Sequence, residues 1–125
     1  MKTGFILYVS DQQAATAFYQ EVLDLEPTLN VPGMTEFSLG TNVTLGLMPI
    51  VGIKKLLGDA LPSPESPVPR AELYLIVDDP DKYHQRALKK GATELSPLQI
   101  RDWGDYAAYS LDKDNHVIAF AGRKK

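Results

Sequence analysis

The chain has 125 residues, a net charge of −3, 44% hydrophobic residues and no cysteine. This bounds it to one globular domain with a real core and excludes disulfides, thiolate metal centres and a cysteine nucleophile. Basic residues cluster only in the end Arg123-Lys124-Lys125, which reads as a solvated tail, and no apolar run nears the ~20 residues that cross a bilayer, so nucleic acid and membrane are not expected partners. A secretion signal is also missing from Met1 to Tyr8, which points to a cytoplasmic protein.

A first strand is expected over Thr3 to Val9, leading into a helix capped by Ser10, with Gln13 completing a Ser-x-x-Gln box. Ala14, Phe18 and Val22, widened by Ala15, Tyr19 and Leu23, form an apolar stripe ending near Leu25, and Pro27 stops the helix. Strands follow over Thr28–Val31, Met34–Leu39 and Val43–Met48, the last two joined through Gly40-Thr41-Asn42. Residues 50–70, with Pro62, Pro64, Pro67 and Pro69, read as a linker or lid carrying at most one helical turn at Ile53–Leu57.

From Ala71 the pattern repeats. Leu75-Ile76-Val77-Asp78-Asp79 answers Leu7-Tyr8-Val9-Ser10-Asp11, with Asp79 as cap, Pro80 in the first turn, Lys89 and Lys90 in the last and Gly91 beyond it. Strands are expected over Thr93–Gln99, Tyr106–Leu111 and His116–Ala121. The fold class is therefore α+β, with two strand-helix-strands modules (1–49 and 71–125) in a single domain related by a pseudo-twofold axis.

Tyr8-Val9-Ser10-Asp11 leading to Ala17-Phe18-Tyr19-Gln20-Glu21-Val22-Leu23-Asp24-Leu25, then Val77-Asp78-Asp79-Pro80, Trp103-Gly104-Asp105 and Ser110-Leu111-Asp112-Lys113-Asp114-Asn115-His116, resemble the vicinal oxygen chelate superfamily. That group holds glyoxalase I, extradiol dioxygenases and bleomycin-resistance proteins. The resemblance spans nearly the whole chain apart from the linker. It implies two βαβββ modules whose mixed sheets curl into a cup, and a homodimer whose cup or interface holds the ligand.

Metal-dependent relatives hold one divalent ion with about four His, Gln or Glu side chains from the first and last strands of each module. Carried over by position, those places are Gly4, Gly46, Glu72 and Ala119. Three have no donor side chain, so no metal and no cofactor is expected, and the enzyme reading is disfavoured. Gly46 and Ala119 are expected to leave volume where a ligand side chain would stand. The resemblance instead implies sequestration of a small aromatic or amphipathic molecule, as in drug resistance. Tyr8, Phe37, Tyr74 and Trp103 are the expected walls, Met48 fills shape and Glu72 is a polar anchor.

Several of these residues have competing readings. Glu72 could instead pair with Arg70 or Arg101, or sit at a wet strand end. Trp103 could cover a core edge or a dimer contact. Strand alternation puts Phe5, Leu7, Val9, Leu73, Leu75 and Val77 under the helices. Tyr106 and Tyr109 face opposite ways, one of them toward the core. His84 reads as a solvated helix residue and His116 as a packing or turn residue, which leaves no hydrolase triad. The alternatives are a lyase, isomerase or dioxygenase of the glyoxalase type, and a structural dimer without ligand.

Overall fold

The computed structural model describes residues 1–62 and 68–123. The Pro64 and Pro67 of the expected linker lie outside the described residues. Two compact units divide the chain, Met1–Glu65 and Ser66–Lys125.

The first unit is β1 (Thr3–Val9), α1 (Gln12–Leu23), β2 (Leu29–Val31), β3 (Met34–Gly40), β4 (Val43–Pro49) and α2 (Ile50–Leu57), closed by a 3-10 turn at Gly58–Ala60. The second is β5 (Glu72–Ile76), α3 (Pro80–Lys89), β6 (Thr93–Ile100), β7 (Asp105–Leu111) and β8 (Val117–Arg123). Strand order is β1-β4-β3-β2 in one sheet and β5-β8-β7-β6 in the other. In both, the module's first strand pairs parallel to its last while the other neighbours are antiparallel. Each unit is thus a βαβββ module, and the sequence repeat is a repeat of topology. No helix among the described residues is long and apolar enough to cross a membrane.

Helix boundaries shift by one or two residues from the sequence reading. Asp11, not Ser10, is the N-cap of α1, its carboxylate accepting the Ala14 N–H at 3.0 Å. A charged acceptor there satisfies an orphan donor and also meets the positive end of the helix dipole. The helix stops at Leu23 because Asp24 turns left-handed at φ 56°, well before Pro27. The expected single turn in the linker is a two-turn helix, α2. Pro49 enters it at φ −63°, Lys54 and Lys55 complement its C-terminal end, and Gly58 ends it at φ 56°.

In the first unit α1 buries Phe18, Tyr19, Val22 and Leu23 against a sheet whose buried side chains include Val9, Phe37, Leu45 and Leu47. Ala14 is exposed, and Thr16 takes its place on the buried face through a 2.8 Å hydroxyl bond to Thr35. Phe5 was expected under the helix, yet it is 53% exposed. It sits on edge strand β1, early in the strand, whereas Val9 at the far end is fully buried.

In the second unit Tyr83 packs on Phe120 at 5.4 Å between ring centroids, and Arg86 caps the Tyr83 ring. Gly122 lies under the start of α3, where a Cβ would come within 2.8 Å of the Pro80 ring. His84 corrects the solvated reading: it is 0% exposed, with Nε2 at 2.8 Å from a Glu94 carboxylate oxygen. The α3 stripe that meets the sheet is wide enough to include both 83 and 84. His116 does bond in its turn, with Nδ1 2.8 Å from Asp112, whose other oxygen accepts the backbone N–H groups of Asp114 and His116.

Candidate functional site

Each sheet carries its helix on one face, and Tyr8, Met48, Glu72 and Tyr74 lie on the opposite face. In the first unit the register places Gly4 beside Thr44, Ile6 beside Gly46 and Tyr8 beside Met48. Gly46 in turn pairs with Glu36. Tyr8, Met48 and Glu36 therefore share a face. Phe37 does not: it pairs with Leu45, is 0% exposed and belongs to the core under α1. Alternation along β3 leaves only one side for it once Glu36 and Ser38 take the other.

The volume expected at the small residues is not open. A Cβ on Gly46 would meet Ile6 Cγ1 at 3.0 Å and Met34 Sδ at 3.3 Å, so these side chains lean into the room. Ala119 is fully buried. Close packing fills such gaps when neighbours have rotamers that reach them.

In the second unit Glu72, Tyr74 and Ile76 pair with Val117, Ala119 and Ala121, which pair with Leu111, Tyr109 and Ala107. The face thus has a central row of small side chains with Tyr74 on one flank and Tyr109 on the other. Tyr109 lies away from the α3 face, as alternation requires, but neither it nor Tyr106 is fully buried.

The turn between β6 and β7 adds the tryptophan. Gly104, at φ 100°, donates its N–H to the Arg101 carbonyl at 3.0 Å, and Arg101 N–H reaches the Asp105 carbonyl at 2.8 Å. The left-handed residue closes the turn and projects Trp103, which is 56% exposed. Its indole N–H donates to the Tyr74 hydroxyl at 2.9 Å, and that hydroxyl donates to Asp105 Oδ2 at 2.7 Å. Tyr74 is thereby tied to two side chains of a turn 29 and 31 residues away. Arg101 lies over the Tyr109 ring at 5.1 Å and donates to the Ala107 carbonyl at 2.7 Å and the Ser96 hydroxyl at 2.8 Å.

The structure therefore joins Tyr74 and Trp103 directly and puts Glu72 on their strand face. Tyr8 and Met48 adjoin each other on the first unit's face. Asp105, Tyr109 and Arg101 complete the second face and were not singled out from sequence as its components. Asp105 and Tyr109 stand four apart on one strand, a spacing that shares a face.

Burial pushes the Tyr74 phenol above its ordinary value of 10.0. The Trp103 N–H works against that shift, and the Asp105 carboxylate adds to it. Burial also raises Tyr109, helped by Glu72 and opposed by Arg101. A phenol with a raised folded pKa contributes stability that is whole below the unfolded value. That contribution is lost as pH climbs through the folded one. A spectrophotometric titration of the tyrosinate band should show tyrosines ionising above 10.0, one fewer of them in Tyr74→Phe. A titration with none above that value would contradict this electrostatic picture.

The four positions at which the family resemblance places metal ligands are poor in donor side chains. Gly4, Gly46 and Ala119 offer no donor side chain and Glu72 offers one carboxylate. Among the described residues no group of three or more His, Cys, Asp or Glu is placed to hold a metal ion.

Solved structures share the fold at low identity. A glyoxalase-related enzyme from Fulvimarina pelagi superposes with TM-score 0.83 at 19% identity, over 98% of this chain and 88% of that one. A glyoxalase/bleomycin resistance protein/dioxygenase family enzyme from Burkholderia phytofirmans gives 0.84 at 21%, with 97% of each chain covered. TioX from a Micromonospora species gives 0.69 at 18%, with 99% of each covered. No curated protein matches the chain. The family model for these folds matches residues 4–120, which include both modules, so the chain belongs to the Glyoxalase/Bleomycin resistance protein/Dioxygenase superfamily.

Proposed function

We propose that the protein binds a small aromatic or amphipathic organic molecule without a metal, in the manner of a sequestering protein, and does so as a homodimer. The observation that carries this reading is the Trp103–Tyr74–Asp105 chain. An indole that is exposed yet anchored through its only polar atom is a rigid stacking surface, and little side-chain entropy remains to be lost when a planar ligand lands on it. The donor-poor set Gly4, Gly46, Glu72 and Ala119 favours this over the lyase, isomerase or dioxygenase alternative. Those chemistries use a metal to polarise the substrate in relatives, and the residues here do not fit one.

Fluorescence of Trp103, the only tryptophan, provides the test. Saturable quenching is expected from at least one member of a panel of planar antibiotics. Calorimetry with Trp103→Ala should show at least about a tenfold loss of that affinity, or about 1.4 kcal/mol. Stoichiometric zinc, manganese or iron in protein purified without chelators, lost in Glu72→Ala, would sink the metal-free reading. Silence from the whole panel would sink the ligand reading. Sedimentation equilibrium should give twice the mass of one chain.

A further inference from the structure

The second unit's open face also selects the charge of what lands on it. The donors nearest the Trp103 ring are already engaged. The Trp103 N–H is held by Tyr74, and the Tyr74 O–H by Asp105. The Arg101 guanidinium is directed into its own hairpin, donating to the Ala107 and Pro97 carbonyls, the Ser96 hydroxyl and the Gln99 side chain. The indole N–H and the Tyr74 O–H are therefore not left to receive an anion. The acceptors are in the opposite state. Glu72 is exposed and pairs with no cation among the described residues. Asp105 Oδ1 has only the Arg123 guanidinium at 3.6 Å, on a side chain that is 81% exposed.

We infer that the molecule bound on this face carries a positive charge beside its aromatic ring, as an arylalkylamine or a quaternary aryl ammonium does. This rests on the small-molecule reading above and narrows it. The ring would stack on Trp103 and Tyr74, and the cation would lie between the Tyr74 ring and Glu72. Those two residues are same-face neighbours along β5, about 6.6 Å apart at two strand steps. That distance suits an ammonium one or two bonds from an aryl ring. The negative quadrupole of each aromatic face attracts a cation, and a carboxylate at the edge adds to the attraction. The acids already act on the phenols, because after burial itself Asp105 raises Tyr74 and Glu72 raises Tyr109. A carboxylate-bearing ligand placed between Tyr74 and Glu72 would meet the same field as repulsion.

A matched series tests the charge alone: 1-naphthylmethylamine, 1-naphthylmethanol and 1-naphthoate, each titrated calorimetrically into the whole protein at neutral pH. The amine should bind at least tenfold more tightly than the alcohol and the acid most weakly. Glu72→Gln, an exposed and nearly isosteric change, should bring the amine down to the affinity of the alcohol in the same variant. An amine no tighter than the alcohol, including no binding by all three, overturns the charge assignment, as does a preference that survives Glu72→Gln. If planar compounds still quench Trp103 in that event, only the charge assignment falls; if nothing quenches it, the binding reading falls as well.

Discussion

Phe37→Ala should lower the free energy of unfolding by about 3–5 kcal/mol, the largest loss expected from any single change among the aromatic residues considered for the site. Phe37 is 0% exposed in the middle of β3, beside Leu45, which is also fully buried. A sheet hydrogen-bonded on both sides of that strand cannot collapse into the hole, because β2 and β4 hold its position. The cost is therefore both the lost transfer of the ring and the cavity left behind. Trp103→Ala is the contrast. Its indole is 56% exposed, and the Tyr74 hydroxyl it leaves still donates to Asp105. About 1 kcal/mol or less is expected there. Urea denaturation of the two variants gives the comparison directly. A Phe37→Ala midpoint close to that of the unmodified protein, or a Trp103→Ala loss as large as the Phe37→Ala loss, would reverse the assignment of one residue to core and the other to surface.

That contrast shows what the sequence could convey. The repeat was legible because its signals are local. Asp79 followed by Pro80, the β-branched and aromatic runs, and asparagines at turn positions each act within a few residues, and Asn42 and Asn115 do adopt φ 65°. The face of Phe37 was legible too. Polar Glu36 and Ser38 on either side fix its direction by alternation alone, and its aromatic character drew it wrongly toward the ligand wall. Glu36, by the same count, belonged on the open face and was overlooked.

The Trp103–Tyr74 bond is different in kind. It joins residues 29 apart, and only the left-handed turn at Gly104 and the sheet order β5-β8-β7 bring them together. No period in the sequence encodes that. The space expected beside Gly46 failed for a related reason. Absence of a side chain is visible in the sequence, whereas the neighbours that fill the gap, Ile6 and Met34, are set by packing.

His84 offers the second large effect, in the form of an ordering. Glu94→Leu should cost about 1–3 kcal/mol, more than His84→Leu, although histidine is the residue that is fully buried. The imidazole makes one hydrogen bond, from Nε2 to Glu94 at 2.8 Å, and its Nδ1 is buried without a partner. A carboxylate only accepts, so Nε2 carries a proton. Removing Glu94 strands that donor as well, and the nearby Ser110, cross-strand partner of Glu94, already has an unsatisfied buried hydroxyl. Removing His84 in favour of leucine does the reverse. It eliminates the orphaned Nδ1, keeps similar volume under α3, and frees a Glu94 side chain that is 41% exposed to turn into water. The double variant should then resemble His84→Leu, leaving a coupling energy in the cycle that approaches the Glu94→Leu cost. Denaturant midpoints of the three variants at neutral pH measure it. His84→Leu costing more than Glu94→Leu, or additive losses in the double variant, would mean that the histidine is held by its packing and not by the glutamate.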